Sequence, residues 1–444
     1  MTLHNNSFSL FDFKKKTDKI QIFDENTIDE EGNIIPFVDQ AALVTHYLQL
    51  KDSGVKIPYA QKAQAILDSW TDFLTSINKS TTPNAVGESN LAYQQYLFPE
   101  LFRAHFPASE TPSFTFIDLF AGIGGFRMAF QNLGGKCVFS SEWDEQAKKT
   151  YYANYGEIPF GDITKESTKC LIPKDFDILC AGFPCQAFSL AGKKLGFEET
   201  RGTLFFDVAE ILKRYQPKAF FLENVKGLVI HDKGRTFKTI LNTLEEVGYV
   251  VPNPEIINAM YFGVPQHRER IFIVGFRKDL GITKDDFTYP EQKTVTKKWI
   301  DVREENAVPA KYYLSTQYMQ TLIDHKARHA AKGNGFGYDI IPDDGIAHAI
   351  VVGGMGRESN LVIDFRQTDL TPTTRIKGEV NRQGWRKMTP REWARLQGYP
   401  DSFKIVVADA SAYKQFGNSV AVPAIQATAE QILKTLKTHG HIGK

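Results

Sequence analysis

The sequence predicts an α/β chain: a doubly wound, mostly parallel sheet, a smaller irregular β-rich domain, and a helical N-terminal extension. Three observations carry this reading. Apolar strand-like runs alternate with helical stretches from Phe114 to Phe276, the pattern of parallel strands joined by crossover helices. After Thr288–Pro290 that rhythm breaks into short pieces rich in Gly, Arg and Thr, up to about Arg386. The first 112 residues differ from the rest, with nine Lys and Arg against fourteen Asp and Glu, where the remainder has 44 against 38.

Taken in order, residues 1–112 show helical patterning around Val38–Leu50, Ala60–Ile77 and Leu91–His105, with Pro, Ser and Thr punctuation at Ser80–Pro83 and Pro107–Pro112. They carry no chemical motif, so packing or tethering is expected of them ahead of a helix-turn-helix regulatory role. Then come FTFIDLF, a glycine turn, a helix to about Leu133, CVFSSE, a helix through Tyr155, FDILCA, a helix over Leu204–Tyr215, AFFLEN, a helix near Thr236–Val247 and RIFIVGF. Helical pattern returns at Pro390–Leu396, and a last helix starts near Val422. The expected units are an extension over 1–112, a catalytic unit over 113–290 completed by 413–444, a target-recognition unit over 291–386 and a hinge over 387–412.

At 444 residues the chain is long enough for two or three domains. With 42% hydrophobic and 24% charged residues, it has the composition of an ordinary globular protein. Four cysteines, Cys137, Cys170, Cys180 and Cys185, form no CxxC pair, so a reducing compartment is the natural reading and no metal is expected. The start MTLHNNSFSLFDFKKK has no apolar h-region, and no run of eighteen apolar residues occurs. A cytoplasmic monomer without membrane or stable protein partners is therefore expected. Between Arg366 and Arg395 stand eight basic residues against three acids. Such an excess suits either a phosphate backbone or a solvated charged face.

DLFAGIGGF, Asp118 to Phe126, sits at the first strand-to-helix turn, where a doubly wound sheet binds ligand. Phe120, Ala121, Gly122, Ile123, Gly124 and Gly125 form the turn, its glycines allowing close backbone approach. Arg127 stands where GxGxxG requires a third glycine, which argues against a pyrophosphate on the helix start. Glu142, twenty residues after Gly122, is placed to accept ribose hydroxyls, and Trp143 beside it to cover an adenine face. Asp162 and Ile163, in GDI at the next strand end, suit the adenine amino group and ring. A nucleoside without phosphates fits this trio, and S-adenosylmethionine is the commonest such cofactor.

GFPCQ, Gly182 to Gln186, follows an apolar strand. Proline stiffens the backbone before Cys185 and aims its sulfur. A lone cysteine there is more often a small buried hydrophobe. Its company, ENV at Glu223–Val225 and QHRER at Gln266–Arg270, also at strand ends, makes a coherent reaction centre.

The order DLFAGIGG, EW, GDI, GFPCQAFS, RGTLFF, ENV, QHRER, TPREWARLQGYPD and FGNSVAVP resembles the DNA (cytosine-5)-methyltransferases of bacterial restriction–modification systems, from Phe114 to the C-terminus. The resemblance does not reach residues 1–112. It implies transfer of a methyl group from S-adenosylmethionine to carbon 5 of a cytosine flipped out of double-stranded DNA, with S-adenosylhomocysteine as product. It makes Cys185 the nucleophile, Glu223 the acid at ring nitrogen 3, and Arg270 with Arg268 the holders of the base carbonyl or the nearby acid. Asn418, in FGNSVAVP, would lie near the amino-acid part of the cofactor. Ser189, Lys193 and Lys194, in the glycine-rich stretch after the nucleophile, would reach phosphates. Arg357, Arg366, Arg375, Lys377 and Arg382 are candidates for reading bases, since arginine pairs both acceptors of a guanine edge. GNGFGYDIIPDDGIAHAIVVGGMGRE, Gly333 to Glu358, resembles one member closely enough to imply the target CCGG.

Three other readings fit the sequence less well. A tRNA cytosine methyltransferase is disfavoured by the long recognition unit, a nicotinamide oxidoreductase by Arg127, and an inactive DNA-binding regulator by the presence of Cys185, Glu223 and Arg270 together.

Overall fold

The computed structural model describes residues 35–77, 94, 101, 103–184, 204–353, 356–374, 376 and 378–443. Its centre is a seven-stranded sheet of β1 (Phe114–Leu119), β2 (Gly135–Ser141), β3 (Ile178–Gly182), β4 (Ala219–Val225), β5 (Tyr249–Val250), β6 (Glu255–Asn258) and β8 (Glu269–Arg277). The order is β2-β1-β3-β4-β8-β5, and β6 also pairs β8. The first three pairings are parallel and those of β8 antiparallel. The chain thus reverses direction across the sheet between β3 and β2 through β1, the switch point at which such sheets bind ligand.

Strict alternation explains why these runs are apolar throughout yet face two cores. Phe116, Cys180, Phe221 and Val274 point to one face, where α3 (Gly125–Asn132), α4 (Glu145–Tyr155) and α10 (Val422–Thr438) pack. Ile117, Leu179, Phe220 and Ile273 point to the other, covered by α1 (Phe37–Leu50), α2 (Ala60–Ile77), α5 (Leu204–Tyr215) and α6 (Arg235–Glu246). Helix α10 closes the first core with Val422, Ile425, Ile432 and Leu436, so the last helix packs on the sheet that the first strands begin. Residues 387–412, expected as a hinge, supply Trp393, Leu396, Tyr399 and Phe403 to the same core. No described helix is long and apolar enough to cross a membrane.

The extension joins this core through α1 and α2. Its third expected helix, around Leu91–His105, lies mostly outside the described residues, and residues 103–106 are not helical. Arg127, read as a replacement for a phosphate-binding glycine, turns away from the ligand edge. It is 2% exposed, lies 4.9 Å from the Tyr155 ring centre, and meets Glu157 Oε1 at 2.7 Å. The same oxygen accepts from Ser140 Oγ at 2.8 Å and faces His46 Nε2 of α1 at 3.1 Å. Burial opposes ionisation of Glu157, but Arg127 and then His46 outweigh it and hold its pKa down to about 2.

Beyond Tyr289, β9 (Ala347–His348) pairs in parallel with β7 (Gln266–His267), and β10 (Leu361–Ile363) pairs antiparallel with β11 (Trp385–Lys387). The longest element there is a helix that the sequence analysis missed, α7 (Thr316–Ala330). Its N-cap Ser315 accepts from Tyr318 N, and it buries Met319 and Leu322 against Leu361. Arg386, fully buried in β11, pairs with both oxygens of Glu392 at 2.8 and 2.9 Å and with Asp364 at 3.0 Å, locking this region to α8 (Pro390–Leu396).

Removing the Glu157 charge leaves Arg127 buried without its partner, a class of change that costs about 3–5 kcal/mol. Glu157→Gln is expected to lower unfolding free energy in urea by that order. In the parent, the stabilisation is present above the ordinary carboxylate value of 4.5 and is lost as pH falls through about 2. The difference between parent and variant should therefore narrow over that acid range.

Candidate active site

The cofactor-side turn begins where β1 ends. Phe120 has φ 55°, Gly122 56° and Gly124 83°. A non-glycine residue in the left-handed region stores roughly 1–3 kcal/mol, and such strain collects at ligand sites. The glycines have separate reasons. A Cβ on Gly122 would meet nothing within 4 Å, whereas one on Gly124 would strike the Tyr155 ring and one on Gly125 would reach Val420 Cγ2 at 2.6 Å. Gly124 and Gly125 serve the packing of α4 and the 419–420 turn, and among the described residues nothing fills the space beside Gly122.

Glu142, past the end of β2, holds that turn in place. Its Oε2 accepts from Gly122 N at 2.8 Å, and its Oε1 accepts from Trp143 N at 2.9 Å and Asp144 N at 2.8 Å. Burial pushes its pKa up against the pull of those three donors. An ionised carboxylate has about four acceptor positions, so one remains for a hydroxyl. The Trp143 indole beside it is 78% exposed. Asp162 Oδ1 accepts from Thr164 N at 3.0 Å and Thr164 Oγ1 at 2.8 Å, and Ile163 is buried behind it. Asn418 is exposed at the end of α9 (Asp409–Asn418). Ser419 next to it is buried, bonded to Tyr399 OH at 2.7 Å.

The chemical half forms where β3 and β4 end side by side. Gly182 lies in register with Glu223, and Asn224 donates from Nδ2 to Phe183 O at 2.8 Å, fixing the turn that leads to Pro184. Cys185, Ser189, Lys193 and Lys194 lie outside the described residues. Glu223 is 8% exposed, and its Oε1 meets Arg270 Nε at 3.1 Å. Burial raises its pKa, overcoming Arg270 and Arg268.

Arg268, expected to hold the base or the acid, lines the same small cavity as Glu223 and Arg270, and its terminal nitrogens are held by backbone carbonyls. Its guanidinium donates to Ile350 O at 2.8 Å, Gly417 O at 3.2 Å and Ser419 O at 2.6 Å. Burial, then repulsion from Arg270, pulls its pKa down to about 9, with Glu223 opposing. It is a strut between β8, the 350 segment and the 417–419 turn. Arg366, a candidate for base reading, is held by neighbours in its own region. It donates to both oxygens of Asp364 at 2.9 and 2.7 Å and to the carbonyls of Glu304 and Glu305 at 2.9 and 2.7 Å, bracing its own region. Arg357 is exposed, its guanidinium 5.4 Å from the Tyr413 ring centre, and Arg382 is exposed with Glu379 at 3.6 Å. Arg375 and Lys377 lie outside the described residues.

Three site residues escaped the sequence analysis. Asp118 is fully buried in β1, neither oxygen has a close hydrogen-bond partner among the described residues, and burial lifts its pKa well above normal against the charge and the backbone of Arg127. An acid on the inward register of an otherwise apolar strand was the available signal. Gln266 and Gln397 work as a pair. Gln266 accepts from Ile350 N at 3.0 Å and donates to Leu396 O at 2.8 Å, while Gln397 donates to Phe416 O at 2.7 Å.

The sequence signature of the family described as C-5 cytosine-specific DNA methylase matches residues 114–434. The Type II methyltransferase M.HpaII of Haemophilus parainfluenzae is 74% identical over 324 residues, covering 73% of this chain and 90% of that protein. The Type II methyltransferase M.HhaI of Haemophilus parahaemolyticus is 41% identical over 327 residues, 72% of this chain and 94% of that protein. Among solved structures, S. pombe Dnmt2 methyltransferase superposes with a TM-score of 0.54 at 17% identity, covering 73% of this chain and 99% of that chain. The Entamoeba histolytica methyltransferase EhMeth gives a TM-score of 0.55 at 19% identity over the same shares. These two likenesses concern the fold, that of S-adenosylmethionine-dependent methyltransferases. The signature spans most of the chain and contains every element of the site, and on that ground this chain belongs to the C-5 cytosine-specific DNA methylases.

Proposed function

We propose that the chain is the modification enzyme of a restriction–modification system, methylating carbon 5 of a cytosine flipped out of duplex DNA, with CCGG as its target. The observation that carries the chemistry is the buried Glu223, with a raised pKa and one arginine contact, at the edge where β3 delivers the Gly182–Pro184 turn.

The residues on the cofactor side fit a nucleoside. Gly122 leaves open space, Trp143 presents a bare indole face, and Glu142 retains an acceptor position. In this reading Glu142 takes the ribose, Phe120, Trp143, Asp162 and Ile163 the adenine, and Asn418 the amino-acid end. Bound S-adenosylmethionine would supply an electrophilic methyl group.

Carbon 5 of cytosine is a poor nucleophile, and covalent catalysis removes the difficulty. The thiolate of Cys185 adds to carbon 6. Glu223, protonated, donates to ring nitrogen 3, so the pyrimidine becomes a neutral enamine instead of an anion. Arg270 fixes the Glu223 carboxyl and reaches the base carbonyl. After carbon 5 has accepted the methyl group, loss of its proton and departure of the Cys185 sulfur restore the aromatic ring. Extrusion of the base costs a few kcal/mol. Ser189, Lys193 and Lys194 repay part of it through phosphates, and Arg357, Arg375, Lys377 and Arg382 are the candidate contacts in a recognition unit over 291–386. Residues 113–290 with 413–444 form the catalytic unit, and 387–412 the joint between them.

Cys185→Ala is expected to abolish methyl transfer to duplex DNA. Bisulfite sequencing of DNA from cells expressing the parent should show protected cytosines confined to CCGG; protection elsewhere would overturn the assigned target. Glu223→Gln is expected to lower kcat by about 10²–10⁴, the usual contribution of a positioned general acid. Because the raised pKa makes protonation the useful state, kcat of the parent should fall as pH rises past it. The Gln variant should lack that limb.

A further inference from the structure

Helix α1 lies outside the family match, yet it runs antiparallel along residues 156–161, the segment that leads to Asp162. At one end, a Cβ on Gly156 would meet Gln49 Nε2 at 3.2 Å. In the middle, Thr45 Oγ1 accepts from Ile158 N at 3.0 Å, and the His46 ring stacks on Phe160 with centroids 4.1 Å apart. At the other end, Asp39 Oδ1 stands 3.9 Å from the Cβ position of Gly161. One helix thus contacts this segment at Ile158 and Phe160 and flanks it at the two glycines on either side.

The gripped segment is itself stitched to the cofactor strand. Phe160 N donates to Ser140 O at 2.9 Å, and Glu142 N donates to Phe160 O at 2.9 Å. His46 Nε2 lies 3.3 Å from both the N and the Oγ of Ser140. Glu142 is two residues beyond Ser140, and Asp162 two beyond Phe160. Both carboxylates that flank the nucleoside pocket therefore hang from backbone that α1 holds. Packed and hydrogen-bonded neighbours of this kind transmit displacement, because close-packed interiors do not deform freely.

We propose that α1 is a clasp that sets the spacing of the cofactor pocket, with Thr45 and His46 as positioning residues for S-adenosylmethionine binding. The proposal rests on the reading of Glu142 and Asp162 as nucleoside ligands. It gives the N-terminal extension a function that none of its own residues performs by touching substrate. Linkage makes the effect reciprocal, so bound cofactor should also tighten the docking of α1.

The test uses the full chain with Thr45→Val, which at nearly constant shape removes the bond from Ile158 N together with the Thr45 hydroxyl's own bonds to Ala41 O and Ala42 O within the helix, and His46→Gln. Dissociation constants for S-adenosylmethionine and S-adenosylhomocysteine are measured by calorimetry, and KM for cofactor and for DNA by steady-state kinetics. Both variants should bind cofactor about 3- to 30-fold more weakly, the range of coupling carried by contiguous networks. KM for DNA and kcat at saturating cofactor should stay within about twofold, since only cofactor binding is affected. A variant that merely loses stability would show a lower Tm with unchanged cofactor affinity, and that result overturns the clasp. If His46→Gln does not fold, Thr45→Val decides alone. Glu142→Gln separates the two layers of the argument. Should it leave cofactor affinity unchanged, the underlying pocket reading falls. Should it weaken binding while the α1 variants do not, only the clasp falls.

Discussion

A carboxyl group kept out of water beside one arginine is the constraint around which this molecule is arranged. Glu223 ends an interior strand, faces the same side of the sheet as Phe221, and meets Arg270 at 3.1 Å. Had the arginine dominated, the pKa of the acid would lie below the ordinary carboxylate value, which works against donation to a pyrimidine nitrogen. Desolvation prevails instead, and it does so because the surrounding layers exclude solvent. Much of the architecture serves that exclusion: α10 returning from the C-terminus, the 417–419 turn, and the 350 segment reaching across from beyond Tyr289.

Buried arginines do much of the holding. Arg268 pins three backbone carbonyls, Arg127 bridges two tyrosines and Glu157, and Arg386 joins β11 to α8 through Glu392. A planar guanidinium with five donors in a fixed fork suits each place better than lysine would. The family signature starts at residue 114, yet the Arg127 network extends to His46 in the helix before it, so extension and sheet share one buried ionic centre.

The sheet and its strand-end motifs were legible because their signals are local. Apolar runs of five to nine residues, glycines at the first turn and a capped start at Thr389–Pro390 each declare themselves within one turn or strand. The placement of Glu223 and Glu142 at strand ends followed from the same local signals. What could not be read were partners far apart in the chain. Arg268 and Arg366 look like exposed cations in sequence, and only folding supplies the carbonyls 61 to 151 positions away that claim them. Gly124 and Gly125 read as ligand-facing, while their true neighbours, Tyr155 and Val420, come from α4 and the far C-terminus. Helix α7 was missed because its apolar stripe is narrow, with just Met319 and Leu322 fully covered.

The central claim is that Glu223 carries a proton at neutral pH when a cytosine is bound. Isotope-edited infrared spectroscopy with labelled glutamate, on the complex with target duplex and S-adenosylhomocysteine, reads that proton directly. A carboxylic acid carbonyl band at pH 7 that vanishes in Glu223→Gln is the result expected. Carboxylate bands alone, unchanged between the two proteins, would contradict it.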